Sequence, residues 1–166
     1  RQLKTIRVIA EAAGAVGMVG GQAIDLEASG ITPQSTDSIP LDSNQLRSMH
    51  ARKTGALIRA AAVAGSTMAG ATDSLTDTVD QYATHLGLAF QIVDDILDVE
   101  GAVEALGKTV GKDASAGKTT YPSLYGVAES RRLANESVER AHEVLRNADL
   151  KGYLPDIATW VVTRSN

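Results

Sequence analysis

Three aspartates lie close together in the segment FQIVDDILD, which runs from Phe90 to Asp98. Asp94 and Asp98 share one face of a helix, and Asp95 stands about 100° round the axis from Asp94. Ionised carboxylates on such an apolar helix are costly unless they are paired or bind a metal, and they repel one another. Oxygen-only ligands favour Mg²⁺, which commonly shares its carboxylates with substrate phosphates. The spacing therefore predicts a magnesium site at Asp94, Asp95 and Asp98, and a solvated acidic helix face is the alternative.

Several lysines in the sequence suit a phosphate ligand. Lys53 and Thr54 open a predicted helix, where free N–H groups and the positive end of the dipole attract anions. Lys108 and Lys118 lie in a glycine-bearing segment beyond the aspartates. Each lysine alone is compatible with an ordinary surface position. Together with the three carboxylates, they predict a metal-bridged diphosphate site.

Two GKT tripeptides, at Gly107 and Gly117, invite comparison with the phosphate-binding loop of nucleoside triphosphatases. That motif needs a glycine five residues before its Gly-Lys pair, and a strand ahead of it. Ala102 and Lys112 occupy the required positions, and no strand pattern precedes them. Ser-His-Asp hydrolysis is also unsupported, because no histidine has a nucleophile-elbow context. We interpret the three histidines of the sequence as packing or surface residues.

Composition limits the remaining function classes. With 166 residues, 43% of them hydrophobic, the chain is long enough for one domain with a sizeable core. A net charge of −4 argues against nucleic-acid binding. The absence of cysteine removes thiolate chemistry and fits a reducing compartment, so a cytoplasmic location is expected. The longest uncharged stretches have 13 residues, whereas a membrane span needs roughly 18.

Glycine, proline and apolar periodicity predict helices and loops only, so the expected fold class is all-α. The chain is expected to begin within a helix that extends from Leu3 to Leu26. Gly14, Gly17 and Gly21 lie on one face of it, which suggests close approach by another helix or a ligand. A cap at Asp42 or Ser43 starts the next helix. Helices are predicted at 43–50, 53–68, 74–99, 121–127, 129–146 and 155–164, with loops at 29–43 and 100–117.

Four ordered motifs resemble the trans-isoprenyl (polyprenyl) diphosphate synthase family, specifically its bacterial farnesyl and geranylgeranyl type. They are GMVGGQAIDL (17–26), HARKTGALIRAA (50–61), FQIVDDILDVEG (90–101) and LGKTVGKDASAGKTTYPSLYG (106–126). The resemblance implies that residues 1–166 are the C-terminal half of the isoprenoid synthase helical bundle. It also implies that the first aspartate-rich motif and the basic residues for isopentenyl diphosphate lie in an N-terminal half absent from this sequence.

The resemblance assigns roles to individual residues. Asp94, Asp95 and Asp98 would be the second aspartate-rich motif, which holds Mg²⁺ against the allylic diphosphate. The positions that would contact diphosphate are Lys53, which is also assigned to catalysis, Thr54, Lys108 and Lys118. Those near the substrate would be Gln22, Asp25 and Gln91, with Phe90 beside the isopentenyl diphosphate pocket.

The implied activity is head-to-tail condensation of isopentenyl diphosphate with dimethylallyl, geranyl or farnesyl diphosphate, through Mg²⁺-assisted ionisation to an allylic cation. The resemblance also implies a homodimer, and we expect this chain without its N-terminal half to be inactive. Two alternatives stay open. One is a non-catalytic partner or regulatory subunit of a synthase, and the other is a terpene cyclase-like enzyme on the same helical scaffold.

Overall fold

The computed structural model describes residues 1–32, 37–105 and 118–164. Within these ranges the fold is all-α, as predicted. The elements are α1 (Gln2–Ala13), α2 (Met18–Ala28), α3 (Ser43–His50), a π-helical turn (Ala51–Gly55), α4 (Ala56–Ala69), α5 (Asp73–Ala105), α6 (Tyr121–Tyr125), α7 (Val127–Asn147) and α8 (Leu154–Thr163). In the described part of the chain, no helix combines the length and the apolar character that a membrane crossing requires.

The first predicted helix is in fact two helices. α1 ends at Ala13, and its C-cap Gly14 is extended, with ψ −166°. α2 begins after Gly17, whose φ of −114° and ψ of −127° lie outside the helical region. Glycine adopts such conformations readily and weakens a helix interior, so the chain can turn here. The prediction of one continuous helix from Leu3 to Leu26 is therefore wrong.

Gly21 marks the close approach of α2 to the π-helical turn. A Cβ atom at Gly21 would lie only 2.6 Å from the Cα of Lys53 and 2.8 Å from the carbonyl carbon of Arg52. Real Cβ atoms do not come this close to backbone, so only glycine fits. The predicted approach of another helix is confirmed at this glycine.

α3, the π-helical turn and α4 follow one another without a break. The predicted cap at Asp42 is confirmed, because its side chain accepts the N–H groups of Asn44 and Gln45. The Gln45 side chain accepts the Asp42 N–H in return and completes a capping box. α4 ends at Gly70, whose φ of +84° is left-handed and suits glycine. The helix predicted to begin at 53 therefore continues a helix that starts at Ser43.

α5 lies at the centre of the core, between α4 and α7. Its buried side chains include Tyr82, Ile92 and Ile96, which belong to one cluster with Leu145 of α7 and Val161 of α8. Burying each large aliphatic side chain contributes roughly 1.5–3 kcal/mol. The Tyr82 hydroxyl donates to the Leu154 carbonyl over 2.8 Å, which satisfies the buried polar group. The helix that carries the aspartates is thus held firmly on both sides.

The remaining predicted boundaries that fall on described residues agree with the structure to within a few residues, except at the end of α5. α5 extends to Ala105, so the start of the predicted loop at 100–117 is helical. Residues 106–117 lie outside the described residues, as do 33–36 in the predicted loop at 29–43. The predicted helices at 121–127, 129–146 and 155–164 correspond to α6, α7 and α8. Pro155 lies in the first turn of α8, where proline is tolerated.

Candidate functional site

Asp25 brings together two of the predicted diphosphate-binding lysines. Lys53 Nζ donates to Asp25 Oδ2 over 2.6 Å, and Lys118 Nζ lies 3.3 Å from Asp25 Oδ1. Asp25 is buried on α2, whereas the side chains of Lys53 and Lys118 are 29% and 41% exposed. One carboxylate therefore holds two ammonium groups side by side, on side chains that are partly exposed.

The ionisation of Asp25 depends on these lysines. Burial alone raises the pKa of the Asp25 carboxyl, but the hydrogen bond from Lys53 and the charge of Lys118 outweigh burial and lower the pKa below its usual value. The carboxylate is therefore charged at neutral pH. It offsets one of the two positive charges and leaves a surplus that suits an anion.

The π-helical turn connects the lysines to the aspartates. Thr54 Oγ1 donates to Gln91 Oε1 over 2.8 Å, and Gln91 Nε2 donates to Asp95 Oδ1 over 3.4 Å. Gln91 and Asp95 lie one turn apart on α5. π-Helical turns occur frequently at functional sites. Here the turn places Lys53 and Thr54 beside α5, the helix that carries the aspartates.

Asp95 is buried and engaged with protein groups. It is 4% exposed, and its Oδ2 accepts the Tyr121 N–H over 2.9 Å at the start of α6. His50 Nε2 lies 3.9 Å from Oδ1, and the His50 ring stacks on Tyr121 with 5.8 Å between ring centroids. Burial raises the pKa of Asp95 to about 6. Burial, assisted by the charge of Lys118, lowers the pKa of His50 to about 4, so this histidine is a neutral packing residue at pH 7.

Asp94 and Asp98 are the more open carboxylates of the motif. The Asp94 side chain is 47% exposed, and Asp98 is exposed one turn further along α5. Among the residues that the structure describes, no three acidic, histidine or cysteine side chains converge to hold a metal by themselves. Mg²⁺ is usually bound by one or two carboxylates together with substrate phosphates. Asp94 and Asp98 fit that arrangement, and the assignment of Mg²⁺ to the three aspartates stays a prediction.

Arg164 is the site residue that sequence reasoning missed. It follows α8, and its Nη2 donates to Asp94 Oδ1 over 3.2 Å and to the Phe90 carbonyl over 3.4 Å. Its guanidinium lies over the Phe90 ring, 4.2 Å from the centroid, with Trp160 at 5.9 Å. Arg164 is 70 positions from Asp94 in the sequence. No local spacing pattern connects residues that far apart, so nothing in the sequence pointed to this contact.

The other predicted residues have less definite surroundings. Gln22 is half-buried on α2 between Gly21 and Asp25. Phe90 supports Arg164 on its ring. Lys108 lies outside the described residues. The structure therefore brings Lys53, Lys118 and Asp25 together, and it joins Thr54 through Gln91 to Asp95.

Comparison with known proteins gives a consistent set of similarities. A family model described as polyprenyl synthetase matches residues 1–151. A farnesyl diphosphate synthase of Geobacillus stearothermophilus is 44% identical over 151 residues, which cover 91% of this chain and 48% of that protein. A dimethylallyltranstransferase of Fischerella ambigua is 41% identical over 100% of this chain and 46% of its own length. The chain thus spans about half the length of these relatives.

A solved structure adds a similarity in three dimensions. It is the geranyltransferase from Helicobacter pylori complexed with magnesium and isoprenyl diphosphate, with a TM-score of 0.73 and 25% sequence identity. The similarity covers 97% of this chain and 50% of that one. The same half-length relationship thus appears in both kinds of comparison.

Proposed function

This chain belongs to the polyprenyl synthetase family. On that premise we propose that it forms one wall of a prenyltransferase active site, namely the side that binds the allylic diphosphate through Lys53, Lys118 and the aspartates of α5. The complete enzyme would join isopentenyl diphosphate head-to-tail to an allylic diphosphate and release pyrophosphate. The match to residues 1–151 and the farnesyl diphosphate synthase relative support this activity.

One observation carries the proposal, namely the pair of lysines on a single buried carboxylate. Lys53 and Lys118 both contact Asp25, and their partly exposed side chains could carry the ammonium groups onto the oxygens of a diphosphate. Charge-assisted hydrogen bonds from ammonium to phosphate oxygens are among the stronger polar contacts in proteins. The hydrogen bonds from Thr54, the residue after Lys53, through Gln91 to Asp95 support a single site that includes this pair together with Asp94 and Asp98.

The proposed role of these residues is electrostatic stabilisation of the departing pyrophosphate. When the C1–O bond of the allylic substrate breaks, negative charge develops on the departing pyrophosphate, and Lys53 and Lys118 would donate to it. Mg²⁺, held by Asp94 and Asp98 and shared with the phosphates, would supply further stabilisation of that charge. The double bond of isopentenyl diphosphate then attacks the cation, and a proton is lost. The described residues provide binding and orientation for the diphosphate end of the reaction.

The opposing wall belongs to the proposal as well. The chain covers 46–48% of the two relatives, so the remaining half of such proteins would bring the first aspartate-rich motif and the isopentenyl diphosphate site. Two substrates held in near-attack geometry gain roughly 7–11 kcal/mol from positioning. A single wall supplies little of this gain. The homodimeric state and the cytoplasmic location expected from the sequence are also proposals.

The test is a reconstitution assay. Radiolabelled isopentenyl diphosphate and an allylic diphosphate are supplied to this chain alone, to the chain co-expressed with the N-terminal half of the Geobacillus relative, and to a reaction without protein. We expect label in acid-labile linear product only with both halves. Cyclic product would favour a terpene cyclase-like enzyme, and no product with both halves would favour a non-catalytic subunit. Efficient turnover by the chain alone would contradict the half-site proposal.

A further inference from the structure

Two hydrogen bonds fasten the segment that leads from Lys118 into α6. Thr119 Oγ1 accepts the Leu41 N–H over 2.9 Å. Two residues later, the Tyr121 N–H donates to Asp95 Oδ2 over 2.9 Å. The intervening Thr120 has extended backbone, with φ −133° and ψ 165°. Three residues span at most about 10 Å, so fixing Tyr121 limits strongly where Lys118 can lie.

Of these two anchors, the bond to Asp95 is the stronger. A hydrogen bond accepted by a charged carboxylate is roughly twice as strong as one between neutral groups, such as the Leu41–Thr119 bond. Asp95 belongs to α5, the central helix of the core, whereas Leu41 belongs to the loop between α2 and α3 and is only half-buried. The position of the segment therefore depends mainly on Asp95.

The surroundings of Asp95 differ from those of a metal ligand. Its Oδ2 faces the Tyr121 N–H, and its Oδ1 faces Gln91 Nε2 at 3.4 Å and His50 Nε2 at 3.9 Å. The stacked rings of His50 and Tyr121 pack beside it. At 4% exposure it has little surface to offer a cation, in contrast to the 47% exposure of the Asp94 side chain.

We propose that Asp95 is a positioning residue: by accepting the Tyr121 N–H it fixes the start of α6 and so holds Lys118 against Asp25, within reach of the diphosphate. The metal would then belong to Asp94 and Asp98. This inference rests on the proposed function for the role of Lys118 toward diphosphate. The placement of Lys118 itself is a property of this chain and can be measured without any ligand.

The measurement is the acylation rate of individual lysines, followed by mass spectrometry of the 166-residue chain. Asp95→Leu keeps the number and branching of the side-chain heavy atoms and removes the acceptor, whereas Asp95→Asn keeps an acceptor for the Tyr121 N–H. Freeing an ammonium group from an ion pair should raise its reactivity about three- to fivefold. We therefore expect this increase at Lys118 in Asp95→Leu and in Asp25→Asn, and a rate close to that of the parent chain in Asp95→Asn.

Two other lysines serve as internal controls. Lys53 contacts Asp25 from the π-helical turn and should keep its rate in Asp95→Leu, and Lys151, with an 83% exposed side chain, should react equally in all variants. If Lys53 accelerates in step with Lys118, the variant has lost its fold. Asp95→Ser, too short to reach Tyr121, then takes its place. An unchanged Lys118 rate in a folded Leu or Ser variant would overturn the inference.

A second set of reactions separates this inference from the proposed function. Inorganic pyrophosphate with Mg²⁺ should slow acylation of Lys53 and Lys118 in the parent chain and in Asp95→Asn, but much less in Asp94→Asn. Absence of protection in the parent chain would count against the proposed function while the ligand-free rates still decide the role of Asp95. Loss of Mg²⁺-dependent protection in Asp95→Asn, to the same degree as in Asp94→Asn, would show Asp95 to be a metal ligand.

Discussion

At the scale of single residues, Asp94 is the open carboxylate whose removal tests the proposed chemistry most directly. In the complete, two-half enzyme, Asp94→Ala should lower turnover at least a hundredfold, about 2.7 kcal/mol of barrier, because a developing negative charge loses its metal. The measurement is the rate of label incorporation at saturating substrate.

Asp77→Ala is a matched control for that variant. Asp77 is an exposed acidic residue on the same helix α5. It should leave turnover within about twofold of the parent enzyme, since exposed charges away from a site have small effects. Near-normal turnover of Asp94→Ala, alongside a folded far-UV circular dichroism spectrum, would contradict the site assignment.

Asp95 and His50 should give opposite pH dependences of stability. The pKa of Asp95 is raised from 3.8 to about 6, so the folded state binds the additional proton and this group's contribution falls as pH rises from about 4 to about 6. The pKa of His50 is lowered from 6.5 to about 4, so the unfolded state binds the additional proton and stability rises over a similar window. In the parent chain the two contributions largely offset each other.

Single variants should expose each contribution. Relative to the parent chain, the free energy of unfolding of Asp95→Asn should increase with pH between 4 and 6.5, because only the His50 contribution remains. That of His50→Gln should decrease between pH 4 and 6, because only the Asp95 contribution remains. Urea unfolding in the presence of a chelator measures both. If both variants had pH profiles of stability parallel to that of the parent chain, the opposite pKa shifts of Asp95 and His50 would be refuted.

At the scale of secondary-structure elements, Gly21 is the position where the packing of α2 on the π-helical turn can be tested. Gly21→Ala forces a Cβ into the Lys53 backbone, and overpacking of this kind costs about 1–3 kcal/mol. Gly65→Ala in α4 is the matched control, since a Cβ there meets nothing within 4 Å. This variant should gain up to about 1 kcal/mol from helix propensity. Urea unfolding should therefore move the two midpoints in opposite directions, and equal shifts would contradict the close contact.

Helix identities followed from the sequence because they depend on local signals. The capping residue Asp42 and the apolar periodicity of α5 lie within a few residues of the helices that they determine. The break between α1 and α2 and the π-helical turn at Ala51–Gly55 did not follow. The break lies at Gly14 and Gly17, inside the single helix predicted from the sequence. The π-helical turn packs against α2 at Gly21, which is a contact between elements rather than a property of either segment.

In the site too, features set by nearby residues were predicted, and features set by contacts with distant residues were not. The spacing of the aspartates predicted a shared helix face, but it gave all three the same role. Only the tertiary structure separates the buried Asp95 from the open Asp94, because the separating contacts come from Tyr121 and Arg164. Neither partner is a neighbour in the sequence.

At the scale of the whole molecule, α1 presents an apolar stripe to solvent. Leu3, Ile6 and Ile9 are 83%, 63% and 47% exposed, and exposed apolar patches of this kind mark interaction surfaces. We expect the chain alone to self-associate, and light scattering should detect species larger than a monomer. A monodisperse monomer would contradict this.

A pair of double variants tests whether the stripe drives self-association. Leu3→Glu with Ile6→Glu should shift the population toward monomer, because it removes two apolar side chains. Lys4→Gln with Arg7→Gln lowers the net charge by the same amount on the same helix and keeps the stripe. It loses only the exposed ion pairs to Asp73 and Glu11, which are worth little. This control should associate as the parent chain does.

The π-helical turn lies inside the continuous helix from Ser43 to Ala69. A turn closed by i→i+5 hydrogen bonds holds one more residue than an α-helical turn and leaves the flanking helices in nearly the same phase. Leu46 before it and Ala60 after it would therefore reach the core equally well if the chain were one residue shorter. We therefore expect a chain with one residue deleted from the turn to keep the bundle but to shift Lys53 and Thr54. The number of residues in the turn, and not only their identity, would then matter to the proposed diphosphate site.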